Sequence, residues 1–444
     1  MALSVNKKYD YLGALLILFV FLVQVFLVFV VTGNEAEVLI NPFLLFAAAL
    51  IIPVWYLRLH LQAGNILQPR PEKNKFRTLL YFIAGMATIL ASYEEVRKLF
   101  VHYPDPAKLS DVMPHMEVIY DRFMHHQYPY TPIHFPSYTL YPVYMPLHWL
   151  PLYIPRHIGI DDRWIGFIFL AIASGIFGIY ILRNTRNWLG GFIAIVLPSV
   201  AFWAFIMLGN IEMPASLEPL IAAYYLVLAT GLAMRNLPLV VTGIVLCLLS
   251  RYTFVFWLPL FAVLLWKNLP IKKSVMVWGI VLICFLLLYF IPFYLKDPKA
   301  LADGLAYYNN CAIDAWSSAN GHAFPNTFNG GLNFGPHMWL WFPGSVAHRV
   351  LLSRIVQTGS MIVLLVWGLL WYNKHKSRIN FYDFSLVMLY LFLTFFFMFT
   401  AQLFKYYLLT WLVLSAVICA KVILLKSAQY GKDSKQEDIP DLIL

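Results

Sequence analysis

Between residues 111 and 126 the chain concentrates groups that can exchange protons and hold charge: Asp-Val-Met-Pro-His-Met-Glu-Val-Ile-Tyr-Asp-Arg-Phe-Met-His-His. Val112, Met116, Ile119, Tyr120 and Phe123 recur at helical spacing and form one apolar stripe. Asp111, His115, Arg122 and His125 fall on a separate, polar face. Ser110 is placed to cap this helix, and Pro114 is tolerable in its first turn. Asp111 opens the helix. A carboxylate with an ordinary pKa of about 4 is ionised at neutral pH and can take a proton from a hydroxyl. It is equally the acid that a helix dipole favours at an N-terminus. Glu117 and Asp121, further along, suit orienting a bound hydroxyl or pairing with Arg122.

Two cations stand out elsewhere. Arg251 lies in Ser250-Arg251-Tyr252, a tight turn between two apolar runs, and a guanidinium fork matches phosphate oxygens. Lys405 precedes Tyr406 and Tyr407; it is either an anion ligand or a residue that snorkels to the membrane surface beside an aromatic belt. His115, His125, His126 and His134 cluster in sequence, but no H-E-x-x-H or cysteine set accompanies them, so no metal site is expected. The four cysteines are far apart and form no disulfide framework.

The elements that carry these residues are set by composition. The 444 residues are 61% hydrophobic and only 12% charged, which excludes an ordinary soluble or disordered chain. The apolar residues come in unbroken runs rather than alternating, which excludes an outer-membrane barrel. At about 20 apolar residues per crossing, spans are expected near 11–32, 38–57, 78–100, 164–182, 188–208, 214–233, 237–250, 253–266, 274–294, 350–372, 383–402 and 407–425. The reading is therefore an all-α polytopic membrane protein of about twelve helices. No cleavage site comes after the first apolar run, which reads as a retained span.

Basic residues gather in the short connections. With the N-terminus inside, inner segments hold 20 basic residues against 7 acidic, a net +13; the remainder, 12 basic and 15 acidic, nets −3. The overall charge of +10 is thus a topology signal, and no nucleic-acid partner is expected. Both termini are placed in the cytoplasm, with 426–444 as a polar tail. The long stretches 101–163 and 295–349 both fall on the exported face of an inner, plasma-type membrane. The helix after Ser110 would lie in the membrane surface. Seven prolines between 129 and 155 make that segment a stiff platform rather than a span. In the second stretch, Asn326 to Gly335 reads as turns, and Phe328, Phe334, Trp339, Trp341 and Phe342 supply stacking faces or an interfacial belt.

The order Ser110-Asp111, a short helix carrying Tyr120, Tyr128-Pro129-Tyr130, then Tyr141-Pro142-Val143-Tyr144-Met145-Pro146-Leu147 and a span opened by Arg163-Trp164 resembles the first loop of GT-C superfamily glycosyltransferases. It is closest to the polyprenyl-phosphate-mannose-dependent bacterial mannosyltransferase branch. Leu208-Gly209-Asn210 is similar to that family's Gly-Gln. Ser250-Arg251-Tyr252-Thr253 with Trp257-Leu258-Pro259-Leu260 resembles its basic turn, and Gln402-Leu403-Phe404-Lys405-Tyr406-Tyr407 its late polar segment. The likeness covers 78–425 of a single transmembrane domain, 1–425. Residues 1–77 would be two extra spans, and Asn210 stands where Gln is usual.

The resemblance implies a transferase that moves a sugar, of the mannose type, from a polyprenyl phosphate to a glycan, lipid or protein acceptor. It implies Asp111 as general base in an inverting displacement. Arg251, Lys405 and Tyr406 would hold the donor phosphate; Glu117, Asn210, Glu212, Tyr141 and His115 would contact the substrates. The lipid-linked sugar is a co-substrate, membrane lipids are the surroundings, and neither cofactor nor divalent metal is expected. The competing expectation is a transporter or lipid flippase, which would place ionisable groups near mid-span and show internal repeats.

Overall fold

The computed structural model describes residues 8–30, 34–63, 74–135, 138–185, 188–208, 212–318, 324–328 and 330–436. Among them, nine helices are long and apolar enough to cross a membrane: Leu12–Phe29, Glu35–Gln62, Lys75–His102, Trp164–Asn184, Trp188–Met207, Ile271–Tyr294, Val346–His375, Phe381–Phe399 and Lys405–Leu425. Three shorter apolar helices, Glu218–Met234, Leu237–Leu248 and Tyr252–Asn268, accompany them. The chain is an all-α, multi-pass membrane protein. Its described strands are two residues each, Ile133–His134 paired antiparallel with Thr139–Leu140.

Burial separates an inner ring from a lipid-facing one. The best apolar window of Lys405–Leu425 is 100% buried and that of Phe381–Phe399 is 89% buried, against 17% for Lys75–His102 and 28% for Val346–His375. Lipid tails are as apolar as leucine, so the helices associate through close packing and buried hydrogen bonds. Gly85 and Gly178 allow the first kind of contact. A Cβ on Gly85 would lie 2.2 Å from the Ser174 carbonyl oxygen, and one on Gly178 would lie 2.3 Å from the Tyr81 oxygen. The second kind ties the N-terminal helices into the bundle. Ser415 donates to Gln24 Oε1 at 2.7 Å, and Gln24 donates to the Ala48 carbonyl at 2.9 Å.

The two long connecting stretches meet at one end of the bundle. The Tyr128 hydroxyl donates to the Phe293 carbonyl at 3.1 Å, and the Tyr141 and Tyr307 rings lie 5.3 Å apart. At the opposite end the basic connections converge: Arg235 reaches Asp383 at 2.8 Å, Lys421 pairs with the same carboxylate, and Lys267 donates to Asn373 at 2.8 Å. Asp383 and Lys421 are buried, and the Asp383 carboxylate is met by two cations, Lys421 and Arg235.

Several local details depart from the sequence reading. The stretch after residue 295 carries a helix ahead of the turns read between Asn326 and Gly335. It opens with a 20-residue helix, Pro298–Ser317, capped by the Asp297 side chain on the Lys299 N–H. A π-helical segment, Leu286–Tyr294, leads into it, and such segments concentrate at functional sites. The last helix runs to Gln436, through part of the segment read as tail.

Candidate active site

The first-loop helix runs Val112–Met124 with Asp111 at its N-cap. Asp111 makes no side-chain cap hydrogen bond; the Ser110 hydroxyl accepts from the Val112 N–H instead, at 3.3 Å. The carboxylate is therefore free of the duty that would explain it as a mere helix cap. Burial raises its pKa above the ordinary 3.8, partly offset by its own N–H. A raised pKa makes it a stronger proton acceptor than a fully solvated aspartate.

Four tyrosines surround that charge. Asp111 acts electrostatically on Tyr138, Tyr144, Tyr307 and Tyr308; burial first, and then this anion among other groups, raises each phenol's pKa. Tyr144 is the hub. Its ring meets His115 edge-on at 5.1 Å and His148 at 4.7 Å, and its hydroxyl interacts with that of Tyr308. Both imidazoles are buried, and burial lowers the pKa of each to about 3, so both are neutral. The Nε2 of His115 has no hydrogen-bond partner among the described residues. His148 Nδ1 lies 3.4 Å from the Ser250 carbonyl oxygen, and the Leu147 N–H donates to Leu249 at 2.8 Å. The platform is thereby clipped onto the turn that carries Arg251.

Arg251 is not a lone cation. Both its terminal nitrogens donate to Glu218, and Glu218 also accepts from the Thr410 hydroxyl at 2.9 Å. The guanidinium lies 4.5 Å from the centre of the Tyr407 ring. Direct contacts join Tyr407, Arg251 and Glu218 into one wall, and the charges of Arg251 and Asp111 both act on Tyr144.

The other sequence candidates are spread around this wall. Tyr141 packs on Tyr307 and joins the Asp111 side. Tyr406 is buried beside Tyr407, with ring centres 4.8 Å apart. Lys405 lies 5.6 Å from the Phe29 ring centre and feels the charge of the exposed Glu212. Asn210 lies outside the described residues, as does Asn329 of the second stretch.

Three expectations are corrected. His115 does not share a solvated polar face; it is buried against Tyr144. Arg122 does not pair with Glu117 or Asp121, because it donates to the carbonyls of Thr131 and Pro132 and so braces the turn after the helix. Glu117 and Asp121 instead surround Arg156 together with Asp162. Burial raises the pKa of Glu117, with Asp162 adding and Arg156 opposing. Glu117 thus belongs to an ionic cluster of its own.

Sequence reasoning missed Glu218, Tyr144, Tyr308 and Tyr407. Glu218 had a signal, a carboxylate inside an apolar run; Tyr144 and Tyr407 stood in quoted motifs without a role assigned, and Tyr308 had no signal. A small cleft lined by Tyr128, Tyr130, Tyr289, Phe293 and Asp297 lies between the platform and the π-helical segment, and its lining includes neither Asp111 nor Arg251. Among the described residues no three His, Cys, Asp or Glu side chains converge as metal ligands. Comparison of the chain with family models, with curated proteins and with solved structures finds no match.

Proposed function

We propose that this chain is a membrane glycosyltransferase. It takes a sugar, of the mannose type, from a polyprenyl phosphate and passes it to an acceptor hydroxyl at the exported face of a plasma-type membrane. On this reading the twelve apolar helices are twelve spans, the termini are cytoplasmic, and the Val112–Met124 helix lies in the outer membrane surface.

The acceptor oxygen attacks the anomeric carbon from the side opposite the phosphate. As that C–O bond forms, Asp111 takes the hydroxyl proton, the bond to the phosphate oxygen breaks, and polyprenyl phosphate leaves with the electron pair. The configuration at carbon inverts. Tyr144 and Tyr308 flank the base, and neutral His115 holds an unpartnered ring nitrogen for a hydroxyl. Arg251, with Lys405 and Tyr406, faces the leaving phosphate. Because Glu218 takes up its charge, Arg251 contributes directed N–H donors rather than net charge.

The observation that carries this reading is the uncapped carboxylate of Asp111, reachable from solvent yet raised in pKa by partial burial, acting on the same Tyr144 as Arg251. A transporter reading fares less well. Among the described residues Glu218, Arg251, Asp383 and Arg235 sit at helix ends and turns, and Lys421, inside the Leu408–Gln436 helix, is paired with Asp383. The test is a panel of radiolabelled polyprenyl-phosphate sugars incubated with purified protein and a membrane extract. Transfer of label from one of them supports the enzyme; label that only crosses the bilayer, unchanged, supports a carrier.

A further inference from the structure

The C-terminal end of the Ile271–Tyr294 span carries the small aromatic cleft that sugar transfer leaves unused. Tyr128 and Tyr130 of the platform form one side and Tyr289, Phe293 and Tyr294 of the π-helical segment the other, with Asp297 just ahead of the next helix. Hydrogen bonding from i to i+5 brings residues five apart onto one face, so Tyr289 and Tyr294 line the cleft together. The rings stand steeply to one another. Tyr130 lies 5.4 Å from Phe293 at 67° and 6.2 Å from Tyr289 at 81°, centre to centre. The Tyr128 hydroxyl donates to the Phe293 carbonyl at 3.1 Å and that of Tyr130 to the Tyr144 carbonyl at 2.9 Å, which fixes the box. Leu287 and Ile291 of the same segment are exposed, so the cleft adjoins lipid where the span ends.

Size and polar atoms decide what can enter. The cleft has room for a single group the size of a water molecule, so a pyranose ring is too large. The oxygens it offers are acceptors. Tyr128 has committed its proton to Phe293. Tyr289 is buried, and its hydroxyl has no hydrogen-bond partner among the described residues. Asp297 Oδ1 caps the helix on the Lys299 N–H at 3.1 Å, while Oδ2 makes neither a hydrogen bond nor an ion pair among the described residues. Among the described residues no Lys, Arg or His lines the cleft. A carboxylate, two phenol oxygens and steeply set aromatic rings suit a small cation that carries N–H donors. Lys296 and Lys299, exposed on either side of Asp297 in sequence, suit an anion tethered to that cation.

We propose that this cleft is a lipid-headgroup site, which takes the primary ammonium of phosphatidylethanolamine while Lys296 and Lys299 meet the phosphate at the membrane surface. The bound lipid steadies the platform through Tyr130, whether or not the chain transfers sugar. The probe is phosphatidylethanolamine titrated into purified full-length protein in detergent, with bound lipid counted by native mass spectrometry. Parallel arms use phosphatidylcholine, whose trimethylammonium is larger and has no N–H, and free ethanolamine.

The wild type is expected to hold phosphatidylethanolamine about tenfold more tightly than either. Asp297→Asn keeps a capping side chain and should lose most of that preference. Tyr289→Phe should lose a smaller part, and Asp303→Asn, at an exposed acid on the same helix, none. Replacing Lys296 and Lys299 by Gln should weaken both phospholipids alike. An unchanged preference in Asp297→Asn overturns the assignment, and so does equal binding of phosphatidylcholine, which marks ordinary surrounding lipid. An equal loss in Asp303→Asn marks diffuse surface charge and overturns it too. If ethanolamine alone binds as tightly as the lipid, the cleft is a free-amine site and the headgroup assignment falls.

Discussion

Lowering the pH should loosen the first-loop platform before it unfolds the bundle, because two buried neutral histidines hold Tyr144. The folded protein keeps His115 and His148 near a pKa of about 3, whereas an opened segment returns each to about 6.5. The unfolded segment then binds more protons than the folded one, so stability falls as pH falls, starting near 6.5 and continuing to about 3. At pH 5 each histidine has lost about 1.5 pH units of this range, about 2 kcal/mol, or about 4 kcal/mol for the pair. That is about a thousandfold rise in the opening constant of the segment. Hydrogen exchange across 112–158, corrected for intrinsic rates and compared at pH 7 and pH 5, reads it directly. The His115→Gln/His148→Gln variant should show a far smaller pH response, and that difference isolates the pair from nearby carboxylates. Equal responses in the two proteins, or imidazole resonances that titrate near pH 6, would refute the reasoning.

The same geometry sets three further outcomes. Glu218→Gln leaves Arg251 buried without its counter-charge and should cost about 3–5 kcal/mol in thermal or chemical unfolding, whereas replacing both partners by apolar residues should cost less; the reverse ranking contradicts the pairing. Gly85→Leu pushes a side chain into the Ser174 backbone and should lower the melting temperature in detergent sharply, while Leu80→Ala on the exposed face of the same helix should leave it nearly unchanged. Sugar transfer should fall on the acid side as Asp111 takes a proton. Because burial raises its pKa, the acid limb of kcat/KM should lie above the ordinary aspartate value of 3.8, and an acid limb at or below that value contradicts the desolvated base.

The apolar runs made the helices legible, since a crossing needs about 20 such residues and little else in a sequence imitates one. The bent pair around Ser250-Arg251-Tyr252 was legible for the same reason, and it is a helix, a 3-10 turn and a second helix in the structure. The Pro298–Ser317 helix was not, although Asp297-Pro298 is a cap with a favoured first residue behind it; its mixed polarity hid it. The site was half legible. Asp111 is identified by its place at a helix start, but whether its carboxylate caps the helix depends on side-chain direction, which spacing does not encode. Arg251 drew attention as a charge between apolar runs, yet its partner lies 33 residues away, on a neighbouring helix. Arg122 left its expected carboxylates to Arg156 because carbonyls freed by the proline-rich turn compete for a guanidinium as well as carboxylates do.

The most direct test of the account is single-turnover sugar transfer by purified Asp111→Asn, an isosteric change that removes the base and leaves the helix start intact. With the donor that the wild type uses, the rate of transfer should drop by about two to four orders of magnitude, while donor binding and the melting temperature stay as in the wild type. Transfer within a few-fold of the wild type by a correctly folded variant would remove Asp111 from the chemistry and the transferase mechanism with it.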